Sequence, residues 1–459
     1  MTSSVPAVVV GGGISGLVCA YALGKLGVEA QVLEASRRAG GMIASERRDG
    51  YLLEMGPQSF SGTAALRSLC AELGIADQIV QAPARAPRYV LIDHALKAVP
   101  LNPAAMLTSS LLSAHTKWSV ARDAVGTSRA PLEDESVAAF VRRKFGEELL
   151  DRLVAPFVSG IYAGDPERLS LRSAFPQLHE AEKSAGSVIR GMMRSAKSRK
   201  GPREKPTLLS FQNGNETLVW ALAAKIGSRL RSAAEVIGIG VRREAGAVRF
   251  EVRIRQAGSE EIIVAERLIL ATPADVAGAL LREVNPAFEP VLAAIEYASV
   301  AVVSLGYRRE DIGHSLQGFG FLAPRSCGLQ VLGSVWNSSL FPGRAPDGHV
   351  LLTSFLGGAT NPGVRALSEE DLVDLVHREI GPVLRIHAKP AFSHVQIYPR
   401  ALPQYNVGYG EQLMALERLG REQPGLFFVG NYLHGPSIGT CVELAIATAG
   451  AAIKQRRSA

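Results

Sequence analysis

Gly11-Gly12-Gly13-Ile14-Ser15-Gly16 follows directly on the β-branched run Ala7-Val8-Val9-Val10. Glycines at this spacing, where a strand opens into a helix, suit the binding of a pyrophosphate: the first makes the tight turn, the second lets backbone approach phosphate, and the third lets helix and strand pack closely. Those tasks fall to Gly11, Gly13 and Gly16. The helix expected from about Ile14 to Leu26 aims its first N–H groups, those of Ile14 and Ser15, at the phosphates. A second strand, Ala30 to Leu33, ends in Glu34, 18 residues beyond Gly16, with Ala35 beside it. A carboxylate there accepts the ribose hydroxyls and repels a 2′-phosphate, which disfavours NADP.

Arg38-Ala39-Gly40-Gly41 comes next and resembles the second fingerprint, Arg-x-Gly-Gly, of the amine-oxidase-like flavoprotein superfamily. The resemblance implies FAD as the cofactor and puts Arg38, Gly40, Gly41 and Met42 at its diphosphate. At the far end, Pro424 to Asn431 reads as a strand and glycine turn, and Gly439-Thr440-Cys441-Val442-Glu443 opens a final helix. This pair looks like the superfamily's closing FAD segment, with contacts implied for Gly430, Asn431, Gly439, Thr440, Cys441 and Val442. The N-terminal end of that helix would stabilise negative charge on a reduced flavin. Arg231 to Gly240 resembles the adenine-holding strand, which implicates Val236, and Leu268 to Pro273 resembles the strand returning beneath the cofactor, which implicates Thr272.

Five further stretches resemble the oxygen-dependent protoporphyrinogen oxidase family: Glu54 to Phe60, Pro87-Arg88-Tyr89, Gly160 to Pro166 with Leu169-Ser170, Gly318 to Pro324, and Pro403 to Gly408. The Gly-Ile-Tyr-Ala-Gly-Asp run is the most specific of them. The resemblance adds Gly56, Pro57, Gln58 and Ser59 to the cofactor contacts, although the family commonly carries asparagine where Gln58 stands. It matches Arg88 to the arginine that pairs with a substrate propionate and Gly160 to the glycine that lies against the ring. Leu322, Val335 and Phe355 match the apolar walls. The implied reaction removes six hydrogens from protoporphyrinogen IX, with dioxygen reduced to hydrogen peroxide. No catalytic side chain is assigned, because hydride leaves a methylene bridge whose charge the pyrroles delocalise. Coproporphyrinogen III is the alternative substrate. An amine oxidase or carotenoid desaturase would share the FAD segments but lack the Gly-Ile-Tyr-Ala-Gly-Asp and Pro-Gln-Tyr-Asn runs, and a non-catalytic flavin or haem carrier would retain only the cofactor site.

Positioning these residues takes more than one domain, as expected for 459 residues with 47% hydrophobic and 20% charged side chains. The fold class is α/β: a Rossmann-like FAD-binding domain, an α+β substrate domain and a helical membrane-associated insertion. FAD-binding parts are expected at 1–91, 207–285 and 404–459, the insertion at 92–206 and the substrate domain at 286–403. Helices are expected over Glu133 to Phe145 and Glu147 to Val158, and a strand over Val300 to Leu305. Four scattered cysteines and nine unpaired histidines suggest neither disulfides nor a metal site. Glycines interrupt the uncharged N-terminus, which therefore suits neither a signal peptide nor a membrane span.

The net charge of +7 is concentrated between Ser184 and Pro206, where Arg190, Arg194, Lys197, Arg199, Lys200, Arg203 and Lys205 face Glu204 alone. No aromatic residue is interleaved, which argues against nucleic acid; the run suits a solvated basic loop or an anionic membrane surface, and the membrane surface is the preferred partner. The charge-free stretch Ala98 to Ala114, broken by Pro100, Asn102 and Pro103, suits an interfacial segment. The expected location is cytoplasmic, peripheral to the membrane's inner face, and a homodimer is left open.

Overall fold

The computed structural model describes residues 2–100, 103–128, 130–198, 207–244 and 247–454. Its first sheet is built around β1 (Thr2–Val10), whose Ala7, Val8 and Val9 are wholly buried. Helix α1 (Ile14–Lys25) follows, and β2 (Ala30–Leu33) pairs with β1 in parallel. On the other side of β1 lies Ser259–Leu270, also parallel, which carries an antiparallel meander of Ala247–Gln256 and Ala234–Glu244. Leu426–Phe428 pairs in parallel with the inner end of Ser259–Leu270, so strands from both chain ends share one sheet. The final helix, Ile438–Lys454, packs on α1 through Leu17, Leu23, Val442 and Ala445, all fully or nearly fully buried. The stretch expected as one strand from Arg231 is two, Leu230–Arg231 and Ala234–Glu244, because Ala233 takes a left-handed conformation (φ 54°) between them.

The second sheet runs in the order Phe392–Pro403, Tyr297–Arg308, His349–Gly357, Val331–Trp336, Gly320–Leu322, Arg88–Ile92 and Ala95–Ala98. The hairpin Arg88–Ile92/Ala95–Ala98 spans position 91/92 and joins this sheet at its edge. One face is closed by the helix Glu369–Leu384, started by a capping box between Ser368 and Asp371. Its Leu372, Leu375, Val376 and Ile380 pack on Ala301, Val303, Leu305 and Leu352. The opposite face meets the helix Ala155–Tyr162, with Ala163 packed against Val300 and Val302.

Between 103 and 198 the described secondary structure is helical. The helix expected from Glu133 begins at Val137, because Ser136 is extended and its hydroxyl caps the Ala139 N–H. The helix expected over Glu147 to Val158 is three pieces: Glu147–Leu149, a π-turn at Leu150–Val154 and Ala155–Tyr162. A π-turn inserts an extra residue and re-aims the helix beyond it, a device concentrated at functional sites. Among the described residues no helix is long and apolar enough to cross a membrane. Arg190 is tied to the carbonyls of Ala124 and Ala185, while Arg194 and Lys197 are exposed. Arg199, Lys200, Arg203, Lys205 and Asn102 lie outside the described residues.

These helices are held by buried charge. Lys144 meets Asp123 at 2.6 Å and Glu182 at 3.3 Å, and Arg143 reaches both Glu182 oxygens at 2.9 Å. Burial works against ionising Glu182, but Arg143, Ser128 and Lys144 outweigh it and hold its carboxyl down to about 2. A carboxylate with a depressed folded-state pKa stabilises fully above its unfolded value and loses that contribution as pH falls through the folded one. Wild-type stability is therefore expected to fall by about 2 kcal/mol between pH 6 and pH 3 on this account alone. Glu182→Gln should be less stable than wild type at pH 7, with the gap closing by pH 3. Thermal unfolding of both across that range checks this, and a pH-independent gap would refute it.

Candidate functional site

The glycine turn is shaped by what packs around it. Gly11 has φ 105°, and a Cβ there would lie 2.8 Å from the Ala271 carbonyl; one on Gly16 would lie 2.0 Å from the Gly11 carbonyl. A Cβ on Gly13 would meet nothing within 4 Å, so the middle glycine faces open space. Crowding on two sides and clearance on the third make a cradle into which a diphosphate fits, with the α1 N–H groups at its floor. Gly40 donates to the Gly12 carbonyl at 2.7 Å and forms a bridge with Gly13, bringing the Arg38–Gly41 loop to the cradle.

Glu34 receives the Gly12 N–H at 2.6 Å on one oxygen and the Ser36 N–H and hydroxyl at 2.9 and 2.7 Å on the other. The oxygen bonded to Gly12 keeps a lone pair for a hydroxyl. Ala35 beside it is exposed. Arg38, read from the motif as a diphosphate contact, spends its guanidinium on the carbonyls of Ala39, Gly41 and Ile43 and on Glu216. It ties the loop together from within. Val236 sits at a bulge in its strand. Thr272 lies just past Leu270, where β1 and Ser259–Leu270 end together, and its buried hydroxyl has no partner among the described residues.

Val429 donates to the Leu270 carbonyl, delivering Gly430 and Asn431 to the same sheet edge. A Cβ on Gly439 would lie 2.7 Å from Thr63, so the final helix starts tight against the Ser59–Thr63 segment. Thr440 donates its N–H to Ser437 Oγ at 3.1 Å, and the buried Cys441 thiol donates to the Gly435 carbonyl at 3.9 Å. Val442 is wholly buried beside them. Gln58 is buried, donates to the Glu54 and Gly56 carbonyls at 2.9 Å and accepts from Asn337 at 2.6 Å. Its carboxamide therefore fastens the Gly56-Pro57-Gln58 loop to the short helix Asn337–Leu340, which follows the strand Val331–Trp336.

Register brings the remaining residues together. In-register residues of paired strands share a face. One row therefore reads Arg88, Gly320, Val335, Thr353, Ser304, His394, and the next Val90, Leu322, Gly333, Phe355, Val302, Gln396. Arg88, Leu322, Val335 and Phe355 thus occupy one face, the three apolar ones partly exposed amid buried strands. Gly160 lies against them, since a Cβ there would come within 2.7 Å of Leu322 Cδ2. Phe157 and Ile161, on the same re-aimed helix, are 47% and 41% exposed.

The Gly160–Asp165 run and the Pro403–Gly408 run, far apart in sequence, are bonded to each other. Gln404 Nε2 donates to the Tyr162 carbonyl at 2.9 Å, Ser170 N–H to the Tyr405 carbonyl at 2.7 Å, and Val407 N–H to the Arg168 carbonyl at 2.8 Å. Sequence reading missed Phe319, whose ring stands 5.6 Å from the Arg88 guanidinium, although Gly-Phe-Gly-Phe was in view. It also missed Asn337 and Arg344, for which no local signal exists.

A two-ended nucleotide cradle facing a sheet-borne apolar wall defines a flavin-dependent oxidoreductase. The chain belongs to the flavin containing amine oxidoreductase family, whose pattern matches residues 14–453, and FAD is its cofactor. Protoporphyrinogen oxidase 1 of Arabidopsis thaliana chloroplasts is 35% identical, covering 98% of this chain and 88% of that protein. Coproporphyrinogen III oxidase of Bacillus subtilis (strain 168) is 28% identical, covering 95% of each. A solved structure from Exiguobacterium sp. 255-15 superimposes with a TM-score of 0.80 at 26% identity, covering 98% of this chain and 99% of that one.

Proposed function

We propose that this chain oxidises a porphyrinogen to the porphyrin, with protoporphyrinogen IX as the preferred substrate and dioxygen as the final acceptor. The observation that supports this most directly is the apolar face bearing Leu322, Val335 and Phe355, with Gly160 against it and Arg88 at its edge. A porphyrinogen is a large apolar macrocycle with acidic side chains at its rim, which is the shape and polarity this face matches. The plant relatives are protoporphyrinogen oxidases and the Bacillus one a coproporphyrinogen III oxidase, so family alone does not choose the substrate.

FAD supplies the hydride acceptor. The protein's part is to bind and orient: Gly11, Gly13, Gly16 and Glu34 hold the nucleotide, Arg88 anchors a propionate and the apolar wall excludes water. No side chain is required as general base, because the pyrroles stabilise the charge left on the bridge carbon.

Charge favours the substrate with fewer carboxylates. On the two rows the far end opposite Arg88 carries His394, which burial and the neighbouring Arg48 hold below its usual range. Arg48 is itself paired with Glu46. Two extra carboxylates on the macrocycle would face Leu322, Val335 and Phe355, and burying each unpaired costs several kcal/mol. Steady-state kinetics should give a specificity constant for protoporphyrinogen at least about a hundredfold above that for coproporphyrinogen. Equal turnover of both would reassign the enzyme. Arg88→Ala should raise KM about tenfold with kcat nearly unchanged, because a charge-assisted contact remote from the reacting carbon is lost.

We further propose that the helical layer rests on a membrane surface at the cytoplasmic side. Helix Val188–Ser198 exposes Met192, Met193, Arg194 and Lys197, and neighbouring Ala114–Val125 exposes Trp118 beneath Arg122. Apolar side chains beside basic ones suit an anionic interface. Sedimentation with anionic vesicles at low salt, lost as salt rises, is expected; absence of binding at low salt would refute it.

A further inference from the structure

The wall as described leaves one part of a porphyrinogen without a partner: its four pyrrole N–H groups, which lose water on entering an apolar pocket. Tyr398 stands where one of them could be met. Its strand, Phe392–Pro403, pairs Tyr398 with Val300 and Gln396 with Val302, and Val302 in turn pairs with Phe355. Tyr398 therefore lies on the substrate-facing side, one row beyond Phe355. It packs in one apolar cluster with Phe355, Val300, Val302 and Ala163, the last immediately following the Gly160–Tyr162 segment.

The chain's ten tyrosines make the position stand out. Seven use their hydroxyls within the protein: Tyr89, Tyr162, Tyr405 and Tyr409 donate to backbone carbonyls, Tyr21 to Glu72, Tyr307 pairs with His377, and Tyr297 accepts an N–H. Two more, Tyr51 and Tyr432, are sealed in the interior without a partner. Tyr398 is neither: it is half-buried, and among the described residues its hydroxyl makes no hydrogen bond and is not sealed off. A phenol placed for packing alone needs no oxygen, and one placed for the fold is normally bonded.

We propose that Tyr398 is a substrate-positioning residue whose hydroxyl accepts a pyrrole N–H of the porphyrinogen, at the end of the wall away from Arg88. This rests on the porphyrinogen reading above. Arg88 then holds the rim of the macrocycle and Tyr398 its centre, two contacts that add to binding.

Tyr398→Phe keeps the ring and removes only the oxygen. Flavin content and melting temperature should match wild type. KM for the porphyrinogen, and Kd for protoporphyrin measured by fluorescence quenching, should each rise about threefold to tenfold, the worth of one hydrogen bond, with kcat within about twofold. Unchanged KM and Kd in the variant, on a wild type that turns over porphyrinogen, would overturn the role of Tyr398 alone. A wild type that neither oxidises porphyrinogen nor binds protoporphyrin would overturn the porphyrinogen reading instead, whatever the variant does.

Discussion

Gly16→Ala is expected to yield a folded protein that has lost its flavin. The added Cβ would lie 2.0 Å from the Gly11 carbonyl oxygen and 3.1 Å from the Ala271 side chain, and neither the turn nor the strand beneath has room to retreat. Gly11 itself is pinned, with its N–H bonded to the Leu33 carbonyl at 2.8 Å and the Ala271 carbonyl filling the space where a side chain on it would stand. Relief must come from lifting α1 away from β1, which moves the phosphate-facing N–H groups off the cradle. Overpacking of this kind costs about 1–3 kcal/mol in a rigid site, and the same energy taken from cofactor binding weakens it up to about a hundredfold. Absorbance near 450 nm relative to protein, after gel filtration, reads the result. Gly13→Ala is the control, since its Cβ would meet no protein atom within 4 Å: it should fold normally and lose flavin only because the methyl occupies ligand space. Full flavin occupancy in Gly16→Ala would show that the turn is not a phosphate cradle.

The second large effect is expected from Arg344→Leu. Arg344 and Glu54 are 1% and 3% exposed, and Arg344 Nη1 donates to Glu54 at 2.9 Å. Arg344 Nη2 reaches Ser210 Oγ at 2.5 Å, and Glu54 also takes the Asn215 N–H at 2.9 Å and the Ser45 hydroxyl at 2.6 Å. Asn215 in turn donates to the Pro57 carbonyl at 2.8 Å, so the pair underlies the Gly56-Pro57-Gln58 loop. Removing one member of a buried pair costs about 3–5 kcal/mol, because the other is left charged and dry. Burial already pushes the Glu54 carboxyl up to about 7 against the pull of Arg344, Ser45 and Asn215. Without Arg344 it rises further, and a raised folded-state pKa in an acid means stability is lost as pH increases toward that value. The deficit of Arg344→Leu should therefore be widest near pH 8 and narrower near pH 5. Chemical unfolding at both pH values checks the slope. In the double variant Glu54→Leu/Arg344→Leu much of the loss should be recovered, as no buried charge remains. A single variant as stable as wild type at pH 8 would refute the pair's role.

The nucleotide half of this protein was legible in the linear chain. Strand, glycine turn, helix, second strand and Glu34 all fall within 34 residues, and what each does depends on its immediate neighbours: β-branched residues for a buried strand, glycine for φ 105° at Gly11. Motif resemblance carried the reading across the rest, naming Arg88, Gly160, Leu322, Val335 and Phe355 without saying how they meet.

Only the tertiary structure decided that. Arg88 reaches Gly320 by a parallel pairing across more than two hundred residues, and one residue of slip would have turned Leu322, Val335 and Phe355 to the far face. The commitment of Arg38 to its own loop and the partnership of Glu54 with Arg344, 290 residues apart, leave no trace in local composition. The same holds for the hydroxyl of Tyr398, which makes no hydrogen bond among the described residues. Local propensity sets which segments become strands; which faces and partners they acquire is settled by long-range register and packing, where the sequence carries only alternation and the energy lies in contacts between distant residues.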